Sequence, residues 1–322
     1  MTRAATDLPL NLNLGPATTQ VVEAVLAAWP IHRKFLRSSL SDRSDRLLDT
    51  TEVISDLLLR IANTGAPTLE GMVADYRYLC EEIVFPEELF FQREGRYRLS
   101  TFDEAYREVY GNNVLMTRYM NGLLVSDVLW VNHASAMDDY AKVYLPTTPG
   151  GGRHLEIGPG HGMLLDLSLK YGNFSSLNAW DVSATSIQHT QRVLNLTGNA
   201  NRVKLSLTNM YSTETTLANE ECFDTIVLSE VLEHLEQPAE AIHIIKRLLA
   251  PGGEVWINVP ANGPAPDHLF LIRSLSEAVD LVKTAGLQVT RATAFPVAGA
   301  SLERAVTEQL PLSCVVVGAK VP

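Results

Sequence analysis

The chain of 322 residues is 46% hydrophobic and 20% charged, with a formal charge of −11. That length suits about two domains, and an acid excess spread through both halves argues against a nucleic-acid backbone as the principal partner. No apolar run reaches the ~20 residues of a membrane span, Met1 to Gly15 lacks a signal-peptide pattern, and Cys80, Cys222 and Cys314 are too scattered for a disulfide framework, so a cytoplasmic protein with reduced thiols is expected. Residues 1–15 read as irregular. From Thr18, Val21, Val22, Val25, Leu26 and Trp29 recur at helical spacing until Pro30. Further amphipathic helices are expected over Thr50–Ile61 and, after the break Thr64-Gly65-Ala66-Pro67, from Thr68 to Cys80. Glu88 to Gln92, the turn Arg93-Glu94-Gly95 and Arg96 to Leu99 read as a β-hairpin. Helical stretches follow at Asp103–Tyr110 and Val114–Tyr144. The second carries Tyr119, Trp130, His133, Tyr140 and Tyr144, aromatics of a core or of a pocket wall. Pro146 to Gly152 is the best linker in the chain, and it divides 1–147 from 148–322.

Beyond the linker, apolar strands at Leu155–Ile157, Leu177–Trp180, Val203–Leu207, Thr225–Leu228 and Glu254–Val259 alternate with helical segments. Such alternation implies a parallel sheet covered on both faces. Gln288–Ala294 and Ser313–Gly318 are expected to add late, partly antiparallel strands. The first strand runs into Gly158-Pro159-Gly160-His161-Gly162, where backbone takes positive φ or approaches a ligand closely. Asp181 ends the second strand, where a crossover fold turns an acid to the ribose of a bound nucleoside. Asn209-Met210 follows the third strand, at the place for an adenine.

The form E-x-G-P-G-x-G at Glu156–Gly162, F-D-x-I at Phe223–Ile226 and L-x-P-G-G at Leu249–Gly253, in this order, resemble the class I S-adenosylmethionine-dependent methyltransferases over about the second half of the chain. The resemblance implies a Rossmann-like domain with a mostly parallel seven-stranded sheet. It implies that Glu156, Gly158, Gly160 and Gly162 meet the methionine end of S-adenosyl-L-methionine, that Asp181 holds the ribose, and that Asn209, Met210 and Ser229 complete the cofactor site. Asn209 stands where the family commonly has an acid, and it offers an amide without charge. The helices and hairpin ahead of this half resemble the winged-helix-like front of many small-molecule O-methyltransferases. That implies a homodimer whose helical front parts cover the acceptor.

Glu230-Val231-Leu232-Glu233-His234 leaves the fourth strand at its ligand-binding end. If a helix starts at once, Glu230, Glu233 and His234 share one face, and His268 after the fifth strand offers a fourth donor. Carboxylates with imidazoles suit magnesium, manganese or ferrous iron. The string resembles the metal-assisted branch of the superfamily, in which a cation gathers the acceptor oxygens beside the methyl donor. In a second reading no metal is bound, and His234 or His268 serves as general base, with His161 inside the cofactor loop a weaker candidate. The expected activity is methylation of oxygen, or of an enolisable carbon, on a small specialised metabolite. The alternatives are a metal-independent N-methyltransferase, an NAD(P)-dependent reductase and a binding module without turnover.

Overall fold

The computed structural model describes residues 12–321; residues 1–11, part of the stretch expected to be irregular, lie outside it. The front of the chain is helical: α1 (Pro16–Ala28), α2 (Arg33–Leu40), α3 (Asp45–Ala62), α4 (Leu69–Tyr78), α5 (Phe85–Glu94), α6 (Phe102–Ala105), α7 (Asn113–Leu129) and α8 (Val131–Asp138). Local chemistry sets the bounds. The Ser44 hydroxyl accepts the Leu47 amide at the start of α3, and Asn112 accepts the Leu115 amide at the start of α7. Leu47, Ile54, Leu57, Leu58 and Ile61 give α3 its buried face.

The expected hairpin at Glu88–Leu99 does not form, and with it goes the winged-helix reading; among the described residues no strand precedes Gly152. The reason lies in helix signals around the aromatic pair Phe90-Phe91. Pro86 sits at the helix start, Glu87 and Glu88 occupy the first turn, and Gly95 closes α5 in a left-handed conformation.

The second half alternates as β1 (Gly152–Ile157), α9 (Met163–Tyr171), β2 (Phe174–Asp181), α10 (Ala184–Leu196), β3 (Val203–Leu207), α11 (Thr213–Ala218), β4 (Phe223–Ser229), α12 (Pro238–Leu248), β5 (Leu249–Ala261), α13 (Leu275–Thr284), β6 (Gln288–Pro296), α14 (Leu302–Thr307) and β7 (Leu312–Ala319). The sheet order is β3-β2-β1-β4-β5-β7-β6, with β7 antiparallel to both its neighbours. Strands buried on both faces read as continuous apolar runs, as Val315-Val316-Val317 does. No helix among the described residues is long and apolar enough to cross a membrane.

Helical front and sheet share a core. One apolar cluster takes in Val21 and Val25 of α1, Leu124 and Val128 of α7, Met163 of α9, Trp256 of β5 and Val317 of β7. Polar ties lie across the same junction. The buried Asp139 carboxylate accepts from Trp256 Nε1 at 3.0 Å and from Arg291 Nη2 at 2.9 Å, and Asn132 Nδ2 donates to Ser313 Oγ at 3.1 Å.

Candidate active site

In a sheet of this order the ligand crevice opens beyond the carboxyl ends of β1 and β4, where the winding reverses. After β1 the chain turns through Gly158, Gly160 and Gly162 with φ of +73°, +52° and +81°, a region that disfavours a Cβ. Space is equally limiting at Gly158, where a Cβ would stand 2.6 Å from Val231 Cγ2. The loop is tethered by the Gly158 amide donating to the Trp180 carbonyl and by Thr190 Oγ1 donating to the Gly160 carbonyl. Gly158→Ala adds strain of roughly 1–3 kcal/mol and is expected to weaken S-adenosylhomocysteine binding about tenfold or more in a calorimetric titration. An unchanged Kd would mean that the loop tolerates a side chain.

Glu156 is buried at the end of β1. Burial first, then the charge of Asp181, pushes its carboxyl up to about 8, and its Oε2 has no hydrogen-bond partner among the described residues. Asp181, also raised by burial, accepts the Ser183 amide at 2.7 Å. Asn209 Oδ1 takes the Tyr211 amide at 2.9 Å, which leaves its NH2 group for a ligand. Met210 is buried beside it. Ser229 Oγ accepts from Asn258 Nδ2 at 3.0 Å. All of these except Gly162 line one cavity of about 1300 Å³; Gly162 instead lies against Thr190. Among the described residues no lysine or arginine lines this cavity, whereas Asp127, Glu156, Asp181, Glu230 and Asp267 do. Acidic walls, positive-φ glycines and an orphaned buried carboxylate oxygen fit a cationic sulfonium nucleoside.

The other end of the cavity differs from the helix expected at Glu230. Glu230 takes φ +54°, and Leu232–His234 form a single 3-10 turn. The i, i+3, i+4 rule applies to an α-helix, so Glu230 falls outside the ligand cluster, its Oε1 accepting from Asn258 Nδ2 at 2.9 Å, while its charge still acts on the Glu233 carboxyl. Glu233, His234 and His268 do come together, with one ligand atom from each within 4.8 Å of the rest. His234 Nδ1 donates to the Asp267 carbonyl (3.1 Å) and His268 Nδ1 to the Gly263 carbonyl (2.7 Å). With those protons placed, both Nε2 lone pairs face Glu233 Oε1, at 3.7 and 3.9 Å. Neither Glu233 oxygen has a hydrogen-bond partner among the described residues. Burial, then the charge of Glu230, raises its carboxyl far above the usual range. Two lone pairs aimed at a buried carboxylate call for a positive charge between them, either a proton on Glu233 or a divalent ion; the donor set fits the ion. Burial also presses His268 down to about 3, which suits a ligand better than a base.

Sequence spacing gave no sign of the groups that hold this cluster. Asp267 accepts from the Tyr110 hydroxyl at 2.9 Å and from the Tyr119 hydroxyl at 3.1 Å, so the helical front fastens the loop after β5. Nor did spacing join Asp127 of α7 with His133 and His161 into a second polar group, which lines the same cavity. Met116, Met120, Leu123 and Asp127 follow one another at i, i+4, i+7 and i+11, a single face of α7 and the one available signal.

Residues 130–295 match a family model described as a methyltransferase domain. Over 122 residues the chain is 30% identical to a ubiquinone biosynthesis O-methyltransferase of Alkalilimnicola ehrlichii, a match covering 38% of this chain and 47% of that protein. The chain thus spans about half the length of this curated relative. An O-methyltransferase family protein from Burkholderia thailandensis has a similar solved structure, with a TM-score of 0.53 at 14% identity over 80% of this chain and 73% of that one.

Proposed function

The chain belongs to the methyltransferase domain family, with the class I S-adenosylmethionine-dependent fold, and from that premise we propose that it methylates an oxygen, or an enolisable carbon, of a small uncharged metabolite held by a divalent ion. The observation that carries this reading is the convergence of the His234 and His268 lone pairs on the unpartnered Glu233 carboxyl, behind the wall of a cavity that both histidines and the glycine loop line. The likeness to an O-methyltransferase supports oxygen as the accepting atom. Walls without lysine or arginine support an acceptor free of carboxylate or phosphate groups.

S-adenosylmethionine, when bound, supplies an electrophilic methyl group on sulfur. Glu156, Asp181, Asn209 and the glycine loop would hold it, and the acidic walls would favour its positive charge. A divalent ion, when bound, supplies Lewis acidity that lowers the pKa of a ligating hydroxyl; Glu233, His234 and His268 would be its ligands. The Asp267 and Gly263 carbonyls fix both rings in the ligating tautomer. Aromatic and methionine side chains of the front, such as Tyr106, Met116 and Trp130, would exclude water and orient the acceptor. The division into 1–147, covering the acceptor, and 148–322, holding the donor, belongs to this proposal, as does the homodimer.

The test is methyl transfer from labelled S-adenosylmethionine to a panel of neutral dihydroxyarenes, carboxylated dihydroxyarenes and amines, with and without a chelator. Label on oxygen of the neutral acceptors alone, lost on chelation and restored by magnesium or manganese, is the expected result. Transfer to nitrogen that survives chelation would replace this reading with metal-independent N-methylation. Binding of NADH in place of S-adenosylmethionine would end it.

A further inference from the structure

The cavity has two polar poles, and the reading above uses one. The second lies where α7 meets the glycine loop, and Glu230 stands near enough to act on both His133 and Glu233. Here the Asp127 carboxylate, buried at 5% exposure, stands 3.4 Å from His133 Nδ1 and 3.0 Å from His161 Nε2. Hydrogen-bond accounting assigns every proton. His161 Nδ1 accepts the Met163 amide at 3.3 Å, so its Nε2 carries the proton, 3.0 Å from Asp127 Oδ2, which makes no hydrogen bond among the described residues. Ser126 Oγ donates to the Leu123 carbonyl at 2.7 Å and therefore accepts at His133 Nδ1, 3.3 Å away. The His133 proton consequently sits on Nδ1, shared between Ser126 and Asp127. Its Nε2 keeps a free lone pair and makes no hydrogen bond among the described residues, on a ring that lines the cavity.

No other cavity-lining imidazole is in this state. His234 and His268 turn Nε2 to Glu233, and His161 carries its proton on Nε2 with Nδ1 taken by the Met163 amide. A carboxylate behind Nδ1–H with a free Nε2 in front is the arrangement of a general base, since the carboxylate fixes the tautomer and stabilises the imidazolium that forms. The charged groups around His133 are Asp127 from α7 and Glu230 from the end of β4. Both favour its protonated form and together outweigh burial, while Trp130 stands edge-on at 4.9 Å.

We propose that His133, oriented by Asp127, is the catalytic base that takes the acceptor's proton. This rests on the reading of the chain as an O- or C-methyltransferase. In the step, the acceptor O–H proton passes to His133 Nε2 as the oxygen electron pair forms the bond to the methyl carbon. The carbon–sulfur bond breaks, its pair stays on sulfur as a neutral thioether, and the imidazolium later releases its proton to water. Asp127 is a positioning residue.

The test uses the full chain loaded with S-adenosylhomocysteine, in chelator, with 4-nitrocatechol as a chromogenic acceptor that cannot be methylated in this complex. Bound 4-nitrocatechol is expected to show the spectrum of its anion at lower pH in the wild type than in His133→Gln, and Asp127→Asn is expected to fall between them. With methyl donor and metal present, His133→Gln should lower kcat about a hundredfold or more, while the Kd of S-adenosylhomocysteine changes less than about twofold. Binding with the same ionisation in wild type and His133→Gln overturns the inference alone. A loss of S-adenosylhomocysteine affinity in His133→Gln that matches its loss of rate also overturns it, because the pole would then belong to the cofactor. Binding of no dihydroxyarene by any variant, in chelator and again with magnesium or manganese restored, overturns the parent reading, and the inference with it.

Discussion

Without its methyl donor the protein is expected to lose thermal stability as the pH rises from about 5 to 8, and Glu156→Gln is expected to remove the share of that loss that Glu156 contributes. The sign follows from the shift. Burial, and then Asp181, takes the Glu156 carboxyl from 4.5 to about 8 in the folded state. Between those values the native protein keeps a proton that the unfolded chain has released, so stability falls as pH climbs through the window. The upper limit is about 5 kcal/mol, or roughly 10 °C in Tm for a chain of this size. Glutamine keeps the shape and has no charge to bury, so the variant should melt higher than wild type at pH 8 while binding donor less well. Melting curves across the window decide the matter. Parallel slopes for the two proteins would mean that Glu156 is ionised when folded.

The second large effect is expected at Glu233. Glu233→Gln removes the one anionic member of its cluster and leaves a neutral side chain of nearly the same volume in a fully buried site. Loss of a Lewis-acid site is worth several kcal/mol at the transition state, so kcat should drop at least about a hundredfold. Donor affinity should stay intact, because Glu233 does not line the cavity that the glycine loop borders. Dialysed wild type is expected to retain a divalent ion in elemental analysis and Glu233→Gln to retain none. Full turnover by the variant, with chelator harmless to both proteins, would return the cluster to a structural role.

What could be read ahead of the structure followed from periodicity. The strands of the second half alternate with helices at spacings that only a covered parallel sheet satisfies, and β1 to β7 lie where those apolar runs do. Gly158 was legible for a related reason, because strand, glycine turn and helix in that order restrict what the backbone can do. The hairpin misreading shows the limit of local pattern. Phe90-Phe91 looks like strand, yet Pro86, two glutamates and Gly95 bracket a helix. The expectation for Glu230 assumed an α-helix that the left-handed backbone at that residue prevents from starting. The bonds of Tyr110 and Tyr119 to Asp267 were out of reach for another reason. They join residues 157 and 148 positions apart, and no spacing rule extends that far. The Asp127–His133–His161 group likewise joins a helix of the front to the cofactor loop, so nothing local announces it.

The apolar cluster that runs from Val21 to Val317 has an evolutionary corollary. A roof built into the same core as its floor cannot be swapped as a cassette between relatives, because the exchange would strip Trp256 and Val317 of their packing. On the proposed reading, new acceptors are won by single substitutions along α7, at Met116, Met120 and Leu123, which line the cavity.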